Sequence, residues 1–380
     1  MDELLEWRRE FPILEKTVYL VSHSMGAMPR GAQDALREYA DLWGSQSVEA
    51  WHRWLPFVIE CGDRVGRLFG APPGSVLMSQ NVSTLQAVVA SCLDFRERRN
   101  RVVYTALNFP TVSYVWKAQE RNGARVTIVP SPDGIHVPTE DLVRAIDDET
   151  LIVPISHVLF KSSYAQDLPA IIAAAHRHGA MVLVDAYQSV GTVPVDVTAL
   201  GVDFLAGGSH KWLCGGPGAA FLYVRPDLLP RLEPAFTGWF AHREPFAFGM
   251  PAQDYADGIW RMAGGTPAIP ALYAARPGHE ILLEIGVDRI RAKSVRQTER
   301  LIGMALEAGL QVRSPRDPAR RGGSVIIDFA ESERACPELV RRGFLCDWRP
   351  GAGLRCSPHF YTKDEELDLF IREIQKIRQA

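Results

Sequence analysis

Between about residues 75 and 225, short β-branched and apolar runs alternate with stretches whose apolar positions recur every three or four residues. The runs predict strands at Arg101–Thr105, Arg125–Pro130, Leu151–Ser156, Met181–Ala186, Phe204–Gly207 and Ala220–Val224. Helical spacing falls at about 84–93, 111–121, 139–147 and 168–178, the last stopped by Gly179. Strand–helix alternation of this kind predicts an α/β fold, a mostly parallel sheet with helices on both faces. Ligands of such sheets bind at the C-terminal ends of the strands.

The rhythm breaks over 230–265, where prolines 230, 234, 245 and 251 and aromatics 236, 239, 240, 246, 248, 255 and 260 crowd together. A stretch this long without periodicity is read as a functional or interface loop. Helical patterns at about 268–286 and 288–308 follow. Beyond Gly323 come a strand (Val325–Phe329), a helix (334–342), strands at 344–347 and 354–357, and a last helix. Thr362-Lys363-Asp364-Glu365 has capping-box form at its start. The expected organisation is an N-terminal segment, 1–60, contributing to a small domain and the active site. A large ligand-binding α/β domain follows over 61–270, then bridging helices and a small α+β domain over 271–380.

Composition narrows the function classes. The 42 Lys+Arg against 45 Asp+Glu leave a formal net charge of −3, so no bulk positive field exists to neutralise nucleic-acid phosphates or an anionic membrane. The opening residues, MDELLEWRREFP, mix charges of both signs and contain no apolar secretory core. Apolar stretches such as 168–175 and 180–184 are shorter than the roughly 18–20 residues of a membrane span. Cysteines 61, 92, 214, 336, 346 and 356 include no CxxC pair, which reads as reduced thiols and no zinc site. A cytoplasmic, metal-free enzyme is the expectation.

Candidate chemistry concentrates in 181–218. Asp185 ends one apolar strand, and Lys211 follows another in a Gly-Gly-Ser-His-Lys turn. Alone, either residue is most simply a salt-bridge partner or a solvated side chain. Together they differ: the lysine sits in a Gly/Ser-rich turn whose backbone and hydroxyls can approach an anion closely. A lysine for a Schiff base, an acid for a pyridine nitrogen, a stacking aromatic and a phosphate cradle are the parts pyridoxal phosphate chemistry requires.

Asp185-Ala186-Tyr187-Gln188, Asp203-Phe204, Ser209-His210-Lys211 and Gly215-Gly216-Pro217-Gly218 resemble the class V aminotransferase group of fold-type I pyridoxal phosphate enzymes. Other segments are similar to kynureninases. Ser22-His23-Ser24-Met25-Gly26 resembles their Gly-Asn-Ser-Leu-Gly, Phe109-Pro110-Thr111 their Phe-Pro-Ser, and Gly238-Trp239-Phe240-Ala241-His242 their Gly-Trp-Phe-Gly-His. Gly265-Thr266-Pro267 matches Gly-Thr-Pro, and Cys346-Asp347-Trp348-Arg349 with Leu354-Arg355-Cys356-Ser357-Pro358 resembles Cys-Asp-Phe-Arg and Ile-Arg-Ala-Pro. The likeness spans nearly the whole chain. It implies a mostly parallel seven-stranded sheet, a small α+β C-terminal domain and a homodimer with shared active sites.

The resemblance implies a role for each matched residue. Lys211 would form the internal aldimine with pyridoxal 5′-phosphate and move the Cα proton, and Asp185 would keep the ring nitrogen protonated. Phe109 would stack on the ring, and Gln188 would contact it. Ser83 and Thr84, at a helix start, would hold the phosphate with Ser209 and His210; the plain alternative for that pair is an N-cap. Thr266 would reach the phosphate of the neighbouring subunit. Arg355 would grip the substrate α-carboxylate through its planar fork, with Ser24 beside it. Trp239 has two readings, stacking on cofactor or substrate and ordinary packing.

Three positions depart from the kynureninase pattern. Val112 stands where that pattern has Asp, Gln188 replaces the His of Asp-Leu-Ala-His, and His210 replaces the Tyr before the lysine. The last two resemble the cysteine desulfurase branch instead. The implied reaction is a kynureninase-like hydrolysis or lysis of a side-chain bond, through an external aldimine and a quinonoid. Alternatives are a cysteine desulfurase or C–S lyase, an epimerase and an aminotransferase. A desulfurase would need a reactive cysteine, for which Cys346 and Cys356 are the candidates, against their reading as buried apolar residues. A non-catalytic regulator would need a DNA-binding module, and no helix-turn-helix with a basic patch is visible.

Overall fold

The apolar runs between residues 76 and 224 lie side by side in one seven-stranded sheet. In the computed structural model, which describes residues 2–249 and 253–379, a short strand β1 (Val18–Tyr19) comes first. The large sheet contains β2 (Val76–Ser79), β3 (Arg101–Thr105), β4 (Arg125–Val129), β5 (Thr150–Ser156), β6 (Met181–Asp185), β7 (Phe204–Gly208) and β8 (Ala220–Val224). Its order is β2-β8-β7-β6-β5-β3-β4. Strands β4, β3, β5, β6 and β7 run parallel, and β8 turns the sheet antiparallel against β7 and β2. The sheet is therefore mixed at one edge and parallel through its centre, as the pattern predicts. Strand β2 has no counterpart among the six runs read from the sequence.

Both faces of the sheet are covered, which is why its central strands are apolar at consecutive positions rather than alternate ones. Val103, Val153, Val182, Val184 and Leu205 point into one core, beside the helices Trp51–Gly66, Leu168–Arg177 and Ile269–Ile285. Their neighbours Val102, Ile152, Leu183, Phe204 and Ala206 point into the other, beside Val82–Ser91 and Pro110–Lys117.

A second, four-stranded antiparallel sheet is built from β9 (Gln311–Val312), β10 (Val325–Asp328), β12 (Asp347–Arg349) and β13 (Gly353–Cys356) in the order β12-β13-β10-β9. Just before β12 lies β11 (Phe344–Leu345), which pairs in parallel with β1. Leu20 thereby enters the small core with Leu301, Val325, Leu354 and Phe370. The helices Gly31–Gln46 and Trp51–Gly66 instead pack on Ile269–Ile285 and the β2 edge of the large sheet. Among the described residues no helix is long and apolar enough to cross a membrane.

Candidate active site

The C-terminal ends of β5, β6 and β7 and the first turn of helix Val82–Ser91 face a cavity of about 350 Å³. Of the residues marked from the sequence, Ser24, Ser83, Phe109, Asp185, Gln188, His210, Lys211 and Arg355 line it. His23, Phe160, Tyr187 and Arg349 line it as well and carry no role in the sequence reading.

Lys211 reaches the cavity from a turn fastened at two points. The Gly26 N–H donates to the His210 carbonyl at 2.8 Å, and the Cys214 N–H donates to the Lys211 carbonyl at 3.1 Å. Gly26 lies so close that an added Cβ would overlap the Lys211 carbonyl oxygen. Cys214 closes the turn with φ of 53°, a left-handed conformation that costs a non-glycine residue on the order of 1 kcal/mol. The amine sits 4.4 Å from the Tyr187 ring centroid and 5.4 Å from that of Phe109. Burial, with a push from the Arg355 and Arg349 charges, lowers its pKa from 10.5 to about 8 against the opposing pull of Asp185 and Asp347.

Asp185, at the tip of β6, is 4% exposed, and its Oδ1 accepts the Tyr187 N–H at 3.1 Å. Burial raises its pKa, offset in part by that N–H and by Lys211. Gln188 lines the cavity while its amide bridges the His23 carbonyl (2.9 Å) and the Trp212 indole N–H (3.0 Å).

Arg355 stands on β13, opposite Asp347 on β12. Its Nε and Nη2 donate to the two Asp347 oxygens at 2.7 and 2.5 Å, and its Nη1 donates to the Phe160 carbonyl at 3.0 Å. One N–H on each terminal nitrogen is left over and can meet a carboxylate. Burial would raise the Asp347 carboxyl, but hydrogen bonds from His23 and Arg355 hold it well below the usual range. His23 completes the anchor, with Nε2 2.9 Å from Asp347 and Nδ1 2.7 Å from the Ser357 hydroxyl. Burial first, then the Arg355 charge, lowers its pKa to about 4. Arg349 Nη2 also lies 3.0 Å from Asp347 Oδ2, so one carboxylate holds two guanidinium groups, with His23 and the Phe160 carbonyl as neutral members of the anchor.

The N-cap of helix Val82–Ser91 is Asn81, whose Oδ1 accepts the Thr84 N–H at 2.9 Å. With the cap supplied there, the Ser83 hydroxyl turns to Thr111 Oγ1 at 3.0 Å, and both line the cavity. Thr84 is not among the lining residues. The Ser209 hydroxyl is committed elsewhere, 2.8 Å from His279 Nε2, with both residues buried. Trp239 and Thr266 also lie outside the lining. The Gly238 backbone packs on Gly264, bringing the segments of these two residues together. There Trp239 (40% exposed) gathers with Phe246 and Phe248 in an exposed aromatic group. Val112 is buried in the core. Cys346 and Cys356 belong to the core of the small domain, and burial pushes the Cys356 thiol well above its ordinary pKa.

This donor set fits pyridoxal phosphate. A buried carboxylate with one backbone N–H to satisfy it favours a cationic ring N–H from the cavity. A buried amine of lowered pKa suits condensation with an aldehyde. Two helix N-termini, each bringing one hydroxyl to the cavity, Ser83 and Thr111, suit the phosphate.

Comparison with known proteins agrees. The family model "Aminotransferase class-V" matches residues 18–337. An uncharacterized aminotransferase, YcbU, of Bacillus subtilis is 34% identical over 97% of this chain and 96% of its own. A kynureninase of Pseudomonas fluorescens is 31% identical over 97% of this chain and 91% of its own. Among solved structures, a cysteine desulfurase from Thermococcus onnurineus superposes with a TM-score of 0.88 at 20% identity, covering 98% of both chains. The cystine C–S lyase C-DES, in a mutant with glycine covalently linked to its pyridoxal phosphate, superposes at 0.88 and 22% identity, covering 97% of this chain and 98% of its own. The chain belongs to the class V aminotransferase family of pyridoxal-phosphate-dependent enzymes.

Proposed function

We propose that this enzyme acts on an α-amino acid and cleaves a bond of its side chain, in the manner of a kynureninase. The observation that carries the first part is the convergence of Lys211, Asp185 and the anchored Arg355 fork on one cavity. The bound cofactor supplies an electron sink for charge developing at the substrate Cα. Arg355 binds and orients the α-carboxylate, a task that its Asp347 clamp prepares by removing the side chain's rotamer freedom. Lys211 Nζ takes the Cα proton and returns it. Asp185 holds the proton on the ring nitrogen, because a buried carboxylate stabilises an N–H cation at hydrogen-bond range. Phe109 and Tyr187 flank the amine and limit water around it.

The kynureninase reading is supported by the Pseudomonas relative, aligned over nearly the full length of both chains, and by the segments that reach from Ser22 to Pro358. Among the described residues no cysteine lines the cavity, which weighs against sulfur transfer through Cys346 or Cys356. The exposed aromatic group around Trp239, with Thr266 on the adjoining segment, supports a homodimer in which these residues serve the partner's site. Incubation with kynurenine and 3-hydroxykynurenine tests the reaction. Hydrolysis to alanine and the corresponding anthranilate is expected. Absence of both products, with a 2-oxo acid formed from other amino acids instead, would replace it with transamination.

A further inference from the structure

Three observations meet at Tyr187. First, the hydroxyl expected from Ser209 is withdrawn from the cavity, held by buried His279. Second, the Tyr187 hydroxyl lies 2.7 Å from His210 Nδ1, and both residues line the cavity. Third, the phenol occupies space opened by a glycine: a Cβ at Gly208 would fall on the Tyr187 hydroxyl and ring. A tyrosine two residues after Asp185 and the missing side chain at 208 form a matched pair, one filling what the other vacates.

Chemistry says what the phenol can do there. Burial, aided by the Asp185 charge, raises its pKa, so it is an O–H donor at every physiological pH. Burial and Lys211 lower the His210 pKa to about 4, so the imidazole is a neutral partner that brings no charge of its own. One hydrogen of this neutral pair lies between the phenol oxygen and Nδ1; with the imidazole Nδ1–H donating to the phenol oxygen, the phenol O–H is free for an anionic oxygen. Phosphate is the cofactor group that would need this donor, since the amine is reserved for the aldehyde and Asp185 for the ring nitrogen. The Tyr187 ring, 4.4 Å from the Lys211 amine on one side while Phe109 lies 5.4 Å away, also offers a flat surface to the heterocycle.

We propose that Tyr187 is a cofactor-positioning residue whose hydroxyl, oriented by His210, donates to the cofactor phosphate and takes the place of the donor withdrawn at Ser209. This rests on the cofactor occupying this cavity, and the test separates the two claims. Apoprotein is titrated with pyridoxal 5′-phosphate and with 5′-deoxypyridoxal, which lacks the phosphate, following the visible band of the lysine-bound aldehyde. Tyr187→Phe keeps the ring and removes one hydrogen bond to a charged group, so its phosphate-ester affinity is expected to fall roughly ten- to a hundredfold. Its affinity for 5′-deoxypyridoxal should stay unchanged. Gly208→Ala, whose methyl displaces hydroxyl and ring together, should weaken both aldehydes, the phosphate ester more than 5′-deoxypyridoxal. Equal loss for both aldehydes, or loss for neither, overturns the role of Tyr187 while leaving the cofactor assignment intact. Failure of the wild-type protein to develop the band with either aldehyde overturns the assignment and the proposal together.

Discussion

The lowered pKa of Lys211 has a consequence that can be measured before any substrate is known. Only the neutral amine attacks an aldehyde. With a pKa of about 8, about one Lys211 in ten is neutral at pH 7, whereas at the ordinary 10.5 the fraction would be about one in three thousand. The cavity therefore raises the reactive fraction at pH 7 about 300-fold. Stopped-flow mixing of apoprotein with pyridoxal phosphate, repeated from pH 6 to 10.5, reads this directly. The rate should rise about tenfold per pH unit up to about 8 and level off above it. Nα-acetyl-lysine mixed with the same aldehyde is the control, and its rate should keep climbing to about 10.5. Arg355→Gln removes a cation that lowers the lysine pKa and leaves Asp347, which raises it, paired with Arg349 alone among the arginines. The inflection moves to higher pH. A wild-type profile that tracks the free lysine would refute the claim that burial and the two arginines hold the amine close to neutrality.

The same shift bears on stability. Because the folded-state pKa of Lys211 is below the unfolded one, the unfolded chain binds the extra proton between about pH 8 and 10.5, and apoprotein stability should rise across that window. Lys211→Met should therefore stabilise the apoprotein at pH 7, by at most about 3 kcal/mol in urea unfolding, and lose the advantage above pH 10.5. Unchanged or reduced stability at pH 7 would count against it. Arg355→Lys keeps the charge but loses the fork held by Asp347. KM for the amino acid should rise ten- to a hundredfold, roughly 1.4–3 kcal/mol, with cofactor affinity unaltered. Gly26→Ala places a methyl on the Lys211 carbonyl, where backbone must move. A loss of roughly 1–3 kcal/mol in thermal or urea unfolding is expected, together with weakened cofactor binding; a variant indistinguishable from wild type would show that the loop does not pin the lysine turn.

How much of this was legible depended on how local the signal was. Asp185 and Lys211 could be read because each ends or follows an apolar strand, and sheet geometry dictates where such an end points. The central strands were legible for the same reason: burial on both faces makes them continuous apolar runs. Strand β2 is only four residues long, and its apolar run, Val76-Leu77-Met78, is too short to stand out. The helix Trp51–Gly66 does carry helical spacing at Trp54, Phe57, Val58, Cys61 and Val65, interrupted to the eye by Pro56 in its second turn. The His23–Asp347–Arg355 anchor joins residues more than 300 positions apart in sequence, so no local pattern announces it. The diversion of Ser209 was equally hidden, because its partner His279 lies in the middle of a helix 70 residues on. Tyr187 stood within the motif read from the sequence, yet its place depends on an absence, the missing side chain at Gly208.

The central claim is that position 211 carries the cofactor on its side-chain amine. Reducing the holoprotein with borohydride makes that bond permanent, and peptide mass spectrometry then locates it. A phosphopyridoxyl group on the peptide containing Lys211, absent from a Lys211→Ala variant that retains its fold, is the expected result. The adduct on another lysine, or no adduct in a protein that still turns over its substrate, would contradict the account.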